Sequence, residues 1–151
     1  MKKLVTLNFL EKLSKIKKQK GKKIVLCHGD FDFLHLGHLK HFKAAKEKGD
    51  YLIVSVTSDN NMQKGIGRPL YKEKDRIEFL SSLSAIDYLY IDHNQNAVEV
   101  ISKIKPNFYA KGADYKDPKK DFTGGIQKEM KVLKKYGGQI IFTNEQSFSA
   151  S

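Results

Sequence analysis

The sequence predicts an α/β fold in which a parallel sheet of five strands lies between two layers of helices. Three observations predict it. Short apolar runs alternate with segments of helical periodicity along the whole chain. The run Tyr51-Leu52-Ile53-Val54-Ser55-Val56 is almost wholly apolar, as a strand covered on both faces should be. The apolar run Ile24-Val25-Leu26-Cys27 leads straight into a glycine-bearing turn and then a helical pattern, the place where open parallel sheets bind ligands.

Leu7, Leu10, Leu13 and Ile16 recur at helical spacing, so residues Thr6 to Gln19 read as an amphipathic helix closed by Gly21. Lys23 to Cys27 is the first strand. Leu36 to Lys48 is a helix with Leu39, Phe42 and Ala45 on one face, and Gly49 is its expected C-terminal stop. Tyr51 to Val56 is the second strand, and a loop with Gly65, Gly67 and Pro69 runs from Thr57 to Tyr71. Helix follows over Lys72 to Leu83 and strand over Asp87 to Ile91. Asn96 to Lys103 is helix, ended by Pro106, and Asn107 to Lys111 is the fourth strand. A glycine- and lysine-rich loop covers Gly112 to Thr123. The last helix spans Gly125 to Tyr136 and stops at Gly137-Gly138, ahead of a fifth strand from Gln139 to Thr143. The order is that of a Rossmann-like, three-layer sheet. The N-terminal helix, residues 1–22, precedes a single domain over 23–151.

At 151 residues the chain suits one domain, and its 40% hydrophobic and 30% charged residues are ordinary for a globular protein. Cys27 has no cysteine to pair with, which points to a reducing compartment. No apolar run approaches the roughly 20 residues of a membrane span, and Asn8, Glu11 and Lys12 interrupt any signal-like segment. A cytoplasmic protein is expected. The net charge of +11 arises from clusters at Lys15–Lys23 and Lys116–Lys120 and from lysines interspersed with acids elsewhere. No zinc-finger or aromatic–basic motif accompanies them, so neither nucleic acid nor membrane is an expected partner. Attraction of small phosphorylated substrates accounts for the excess.

The decisive stretch is His28-Gly29-Asp30-Phe31-Asp32-Phe33-Leu34-His35-Leu36-Gly37-His38. It brings a strand end, a turn and a helix N-terminus together, and a helix N-terminus offers free N–H groups and positive dipole to an anion. His35 and His38 bracket Gly37, so both rings can face a ligand that the backbone approaches closely. That pattern suits a nucleoside triphosphate.

These residues, in the pattern Gly29-x-Phe31-Asp32-x-x-His35-x-Gly37-His38, resemble the nucleotidyltransferase family marked by His-x-Gly-His, which includes cytidylyltransferases and adenylyltransferases. Gly67-Arg68-Pro69, Asp75-Arg76 and Lys111-Gly112-Ala113-Asp114-Tyr115 are similar to segments of the bacterial heptose-phosphate adenylyltransferases, and glycerol-3-phosphate cytidylyltransferase is a more distant likeness. The resemblance implies transfer of a nucleoside monophosphate from CTP or ATP to a phosphorylated sugar or polyol, with release of pyrophosphate. It implies His35 and His38 as hydrogen-bond donors to phosphate oxygens and Lys64 as a clamping cation, with Arg68 in the loop as a secondary cation and Arg76, on a helix, as a secondary or merely supporting one. Gly29, Asp30, Phe31, Asp32, Gly37, Arg68, Lys111, Gly112, Asp114, Ser149 and Ser151 are the residues expected around the nucleotide, Asp32 orienting substrate or metal. Mg2+ is the expected cofactor and a homodimer the assembly the resemblance suggests; no metal ligands are assigned.

Two features depart from the family pattern. Asp30 stands where relatives carry a small or weakly polar residue. Ser147-Phe148-Ser149-Ala150-Ser151 resembles the Gly-x-Ser-Thr-Thr segment that opens a final helix, yet the sequence stops there, as a fragment of a longer protein would. Other readings of single residues stay open. Phe31 reads equally well as core, and Lys64 as one solvated lysine among many. His28, His41 and His93 are read as surface or supporting residues. A non-catalytic nucleotide-binding or regulatory module of the same fold is the alternative function. A zinc protein using His35, His38 and His41, with Cys27 or His28 nearby, is a further one.

Overall fold

The computed structural model describes residues 2–62, 69–112 and 125–144. Five strands, β1 (Ile24–Gly29), β2 (Tyr51–Thr57), β3 (Tyr88–Asp92), β4 (Phe108–Lys111) and β5 (Gln139–Phe142), form one sheet in the order β3-β2-β1-β4-β5. All neighbouring strands run parallel. The helices among the described residues are α1 (Leu7–Gln19), α2 (Leu36–Lys46), α3 (Glu73–Ser81), α4 (Val98–Ile104) and α5 (Gly125–Tyr136). This is the predicted doubly wound α/β architecture.

Alternation along the strands explains the layers. Val25 and Cys27 of β1, with Leu52, Val54 and Val56 of β2, meet Phe42 of α2 and Leu80 of α3 on one face. Ile24, Leu26 and Ile53 point the other way, onto Leu10 of α1, Ile101 of α4 and Leu133 of α5. Because both faces are covered, the strands carry almost no polar side chains until their carboxyl ends. The winding reverses between β1 and β4, and the crevice at their carboxyl ends is the switch point where such sheets take ligands.

Local details differ from the sequence expectation for physical reasons. On α1, Ile16 is 51% exposed while Ser14 is buried. Steps of three residues drift around the helix by about 60° each, so the stripe leaves the core, and Ser14 takes the place by donating its hydroxyl to the Ile104 carbonyl at 2.6 Å. Gly49 follows α2, but it carries no left-handed φ. A Cβ there would meet Val25 Cγ2 at 2.8 Å and the Lys23 carbonyl oxygen at 2.9 Å, so the glycine answers close packing against the start of β1. Gly21, with φ +77°, does close α1 in the left-handed form.

Many lysines sit in last turns: Lys17 and Lys18 of α1, Lys43 and Lys46 of α2, Lys103 of α4, and Lys134 and Lys135 of α5. There they complement the negative ends of the helix dipoles. These seven lysines thus lie toward the amino ends of the strands that follow, away from the switch point at the carboxyl ends.

Candidate functional site

β1 runs two residues beyond the expected Cys27, because His28 and Gly29 pair in register with Ser55 and Val56. The chain then turns sharply. Phe31 adopts φ +50°, a left-handed conformation that a bulky residue holds only when its surroundings impose it. The turn folds the Phe31 ring back over Gly29, where a Cβ would lie 3.0 Å from the ring. Gly29 is a glycine because that ring needs the space.

The Phe31 ring stands edge-on to Phe42, with centroids 5.2 Å apart, and edge-on to His38 at 5.9 Å. It therefore joins the core and touches a motif histidine at once. The ring also lines a groove of about 460 Å³, together with Phe33, Leu34, Tyr71 and, from α3, Asp75 and Phe79.

His35 is the N-cap of α2, and Gly37 is buried in its first turn. The Gly37 N–H donates to His35 Nδ1 at 3.0 Å, and the His35 N–H donates to His38 Nδ1 at 3.3 Å. The two rings lie 4.3 Å apart. Each Nδ1 that accepts a bond carries no hydrogen, so each neutral ring keeps its hydrogen on Nε2. The helix thus begins with two Nε2–H donors beside a positive dipole end, an arrangement suited to phosphate oxygens.

Asp32 and Asp30 of the turn and Arg76 of α3 are held by other parts of the protein. Asp32 is 5% exposed, and its carboxylate oxygens accept the N–H groups of Leu70 and Tyr71, each at 2.9 Å. Asp30 offers its main-chain carbonyl to Arg76. Arg76 itself is buried in α3 and bonded to the protein at four acceptors, so it is placed as an internal tie rather than as a phosphate clamp.

Deeper in the crevice lies a polar group that sequence reasoning did not assemble. The His28 ring shares a 2.7 Å hydrogen bond with Ser55 Oγ and lies 3.8 Å from Asp92 Oδ2. Burial, reinforced by the nearby Lys111 ammonium, pushes His28 down to about 3. Burial pushes the Asp92 carboxyl up, against two bonds from Asn94 that hold it down. Lys111, at the end of β4, reaches over the Tyr109 ring at 5.0 Å. Gly112 follows it. The signal for Ser55 and Asp92 was available: each is a polar residue at the carboxyl end of an otherwise apolar strand.

His28 and His41 are largely buried, whereas His93 is exposed. His41 bonds to Thr143 Oγ1 at 2.7 Å and so ties α2 to the end of β5. His28 lies on the sheet face away from α2, and Cys27 is packed in the core. Among the described residues no group of three or more His, Cys, Asp or Glu could hold a metal ion, which is against the zinc alternative. Lys64, Arg68, Asp114, Ser149 and Ser151 lie outside the described residues.

Comparison with known proteins agrees with this architecture. No helix of the described residues is long and apolar enough to cross a membrane. The chain is 42% identical over 127 residues to the bifunctional protein HldE of Nitratiruptor sp., covering 82% of this chain and 27% of that protein. It is 41% identical over 131 residues to the protein of the same name from Campylobacter concisus, covering 84% and 27%. The chain thus spans about a quarter of the length of the curated relatives it matches. The lipopolysaccharide core biosynthesis protein of Thermoplasma volcanium superposes with a TM-score of 0.65 at 26% identity, over 84% of this chain and 100% of that one. Pantoate-beta-alanine ligase of Francisella tularensis shares the fold alone, at a TM-score of 0.62 and 17% identity over 96% of this chain and 67% of that one. The family model described as cytidylyltransferase-like matches residues 26–147, nearly the whole sheet with helices α2 to α5, and the chain therefore belongs to the cytidylyltransferase-like family of nucleotidyltransferases.

Proposed function

We propose that this domain transfers a nucleoside monophosphate from CTP or ATP to a phosphorylated sugar or polyol. An oxygen of the acceptor phosphate attacks the α-phosphorus, the bond from that phosphorus to the α–β bridging oxygen breaks, and pyrophosphate leaves. The acceptor phosphate is already a nucleophile, so the protein needs to align the two phosphates and stabilise charge as it moves to the leaving group.

The observation that carries this reading is the pair of Nε2–H donors at the start of α2, held by the cap bonds of His35 and His38. In a phosphoryl-type transfer those donors serve the α- and β-phosphate oxygens. Lys111 supplies positive charge at the crevice, and Lys64 and Arg68 are the proposed clamps in the loop after β2. Gly112, Asp114, Ser149 and Ser151 are proposed around the nucleoside. The likeness of the Gly67-Arg68-Pro69, Asp75-Arg76 and Lys111–Tyr115 segments to heptose-phosphate adenylyltransferases favours ATP and a sugar phosphate.

Magnesium is proposed as part of the nucleotide rather than as a resident of the protein. The described residues contain no group of three metal-ligating side chains, and the Asp32 oxygens face main-chain N–H groups. An all-protein cage does not fit them, whereas Mg2+ commonly travels on phosphates and water.

The test is pyrophosphate release with ATP, CTP, GTP and UTP, each with magnesium and with glycerol 3-phosphate or hexose 1-phosphates as acceptors. Turnover with one nucleotide that is lost in His38→Ala supports transfer. Stabilisation by a nucleotide without pyrophosphate release would assign a binding module instead.

A further inference from the structure

We infer that Arg76 is a positioning residue for this reaction, its guanidinium setting the turn that presents Phe31 to His38. The inference rests on the transfer reading, although the side chain concerned does not face substrate.

Arg76 is 1% exposed. A cation buried that deeply needs an acceptor for the N–H groups it brings inside. Its Nε donates to the Tyr71 carbonyl at 3.0 Å. Nη1 donates to the carbonyls of Asp30 and Thr57, each at 2.7 Å, and Nη2 meets Asp59 Oδ1 at 2.7 Å. These acceptors belong to separate stretches: the turn after β1, the end of β2 with the residues just after it, and the segment before α3. Charge neutralisation would need only the Asp59 carboxylate. Three of the four acceptors are main-chain carbonyls, so the guanidinium fixes where the backbone runs.

The Asp30 carbonyl matters most, because the next residue is the left-handed Phe31. Asp32 holds the other end of the same turn through the N–H groups of Leu70 and Tyr71. Tyr71 is therefore gripped twice, at its N–H by Asp32 and at its carbonyl by Arg76. Between these two grips Phe31 keeps its strained conformation and its ring stays edge-on to His38. A lysine cannot do this, since a single ammonium does not span acceptors arranged around a planar fork.

The experiment compares Arg76→Lys with Asp59→Asn, which weakens one bond of the tie together with the Glu73 N–H bond to the same oxygen, and which serves if Arg76→Lys does not fold. Leu80→Ala is the control, a core truncation one turn along the same helix. The readouts are the side-chain 15N and 1H resonances of His38 in the unliganded protein, and kcat and KM for pyrophosphate release with ATP or CTP and a hexose 1-phosphate. Arg76→Lys is expected to move the His38 resonances and to lower kcat by about tenfold or more, with a smaller change in nucleotide KM. Asp59→Asn should do the same more weakly. Leu80→Ala should lower Tm and leave both readouts in place. Unmoved His38 resonances in both clasp variants, or equal movement in Leu80→Ala, would overturn the proposal. If the wild type releases no pyrophosphate with any nucleotide, the transfer reading fails, and the resonances still decide whether Arg76 sets His38.

Discussion

The main-chain N–H of His35 donates to Nδ1 of His38 at 3.3 Å, and that bond decides which nitrogen of His38 can serve a ligand. A serine–glutamate capping box would close the helix start equally well. Its carboxylate, however, would present only acceptors to an incoming phosphate. Histidines in the same positions cap with Nδ1 and keep Nε2–H to donate. Capping and phosphate recognition are thereby combined in one pair of side chains, which accounts for the residue type and the three-residue spacing together.

His38→Ala removes both the cap acceptor and the donor. Loss of the cap should cost about 1 kcal/mol of stability, read from chemical denaturation. Loss of the donor should cost about a hundredfold or more in kcat. If the rate loss is no larger than the fraction unfolded explains, His38 has only its capping role.

Gly29→Ala places a Cβ 3.0 Å from the Phe31 ring, so the ring must shift. A destabilisation of about 1–3 kcal/mol is expected from such overpacking. In a Phe31→Ala background the added methyl has room, and the penalty should largely disappear. Equal penalties in the two backgrounds would mean that Phe31 does not fix the need for glycine.

The strand–turn–helix unit was legible because it is local: apolar runs, Gly29, and histidines at the start of a helical pattern all lie within 15 residues, from Ile24 to His38. What was hidden depends on distance along the chain. Arg76 acts through carbonyls at Asp30, Thr57 and Tyr71, and Asp32 through N–H groups at Leu70 and Tyr71. Main-chain acceptors and donors carry no sequence signature, so the sequence places Arg76 on a helix as a secondary or supporting cation without showing the backbone it ties. Of the two readings the sequence leaves open for His28, surface or supporting, burial excludes the first for a related reason. Its strand continues through it, since Ser55 on the neighbouring strand satisfies its ring.

Asp32→Asn leaves one oxygen to accept a backbone N–H and turns the other group into a donor facing one. A loss of about 1–3 kcal/mol is expected from the unmatched pair. The magnesium concentration giving half-maximal pyrophosphate release should stay the same. A large increase in that concentration would instead identify Asp32 as a metal ligand.

The His28–Asp92 pair makes stability depend on pH in a way that can be assigned by sign. His28 falls from an ordinary 6.5 to about 3 on folding, so between those values the unfolded chain binds the extra proton. Its contribution is intact above about 6.5 and is lost as the pH falls toward 3, by up to about 1.4 kcal/mol per pH unit. Asp92 is shifted upward by burial, and it acts in the opposite direction: the folded chain holds that proton more firmly, so its contribution declines as the pH rises above 3.8. Unfolding free energies measured between pH 7 and pH 4 should therefore fall steeply in the wild type and less steeply in His28→Asn. In Asp92→Asn the opposing contribution is gone, and the loss on acidification should be steeper than in the wild type. Parallel profiles for wild type and His28→Asn would show that the ring is not the buried neutral group described above.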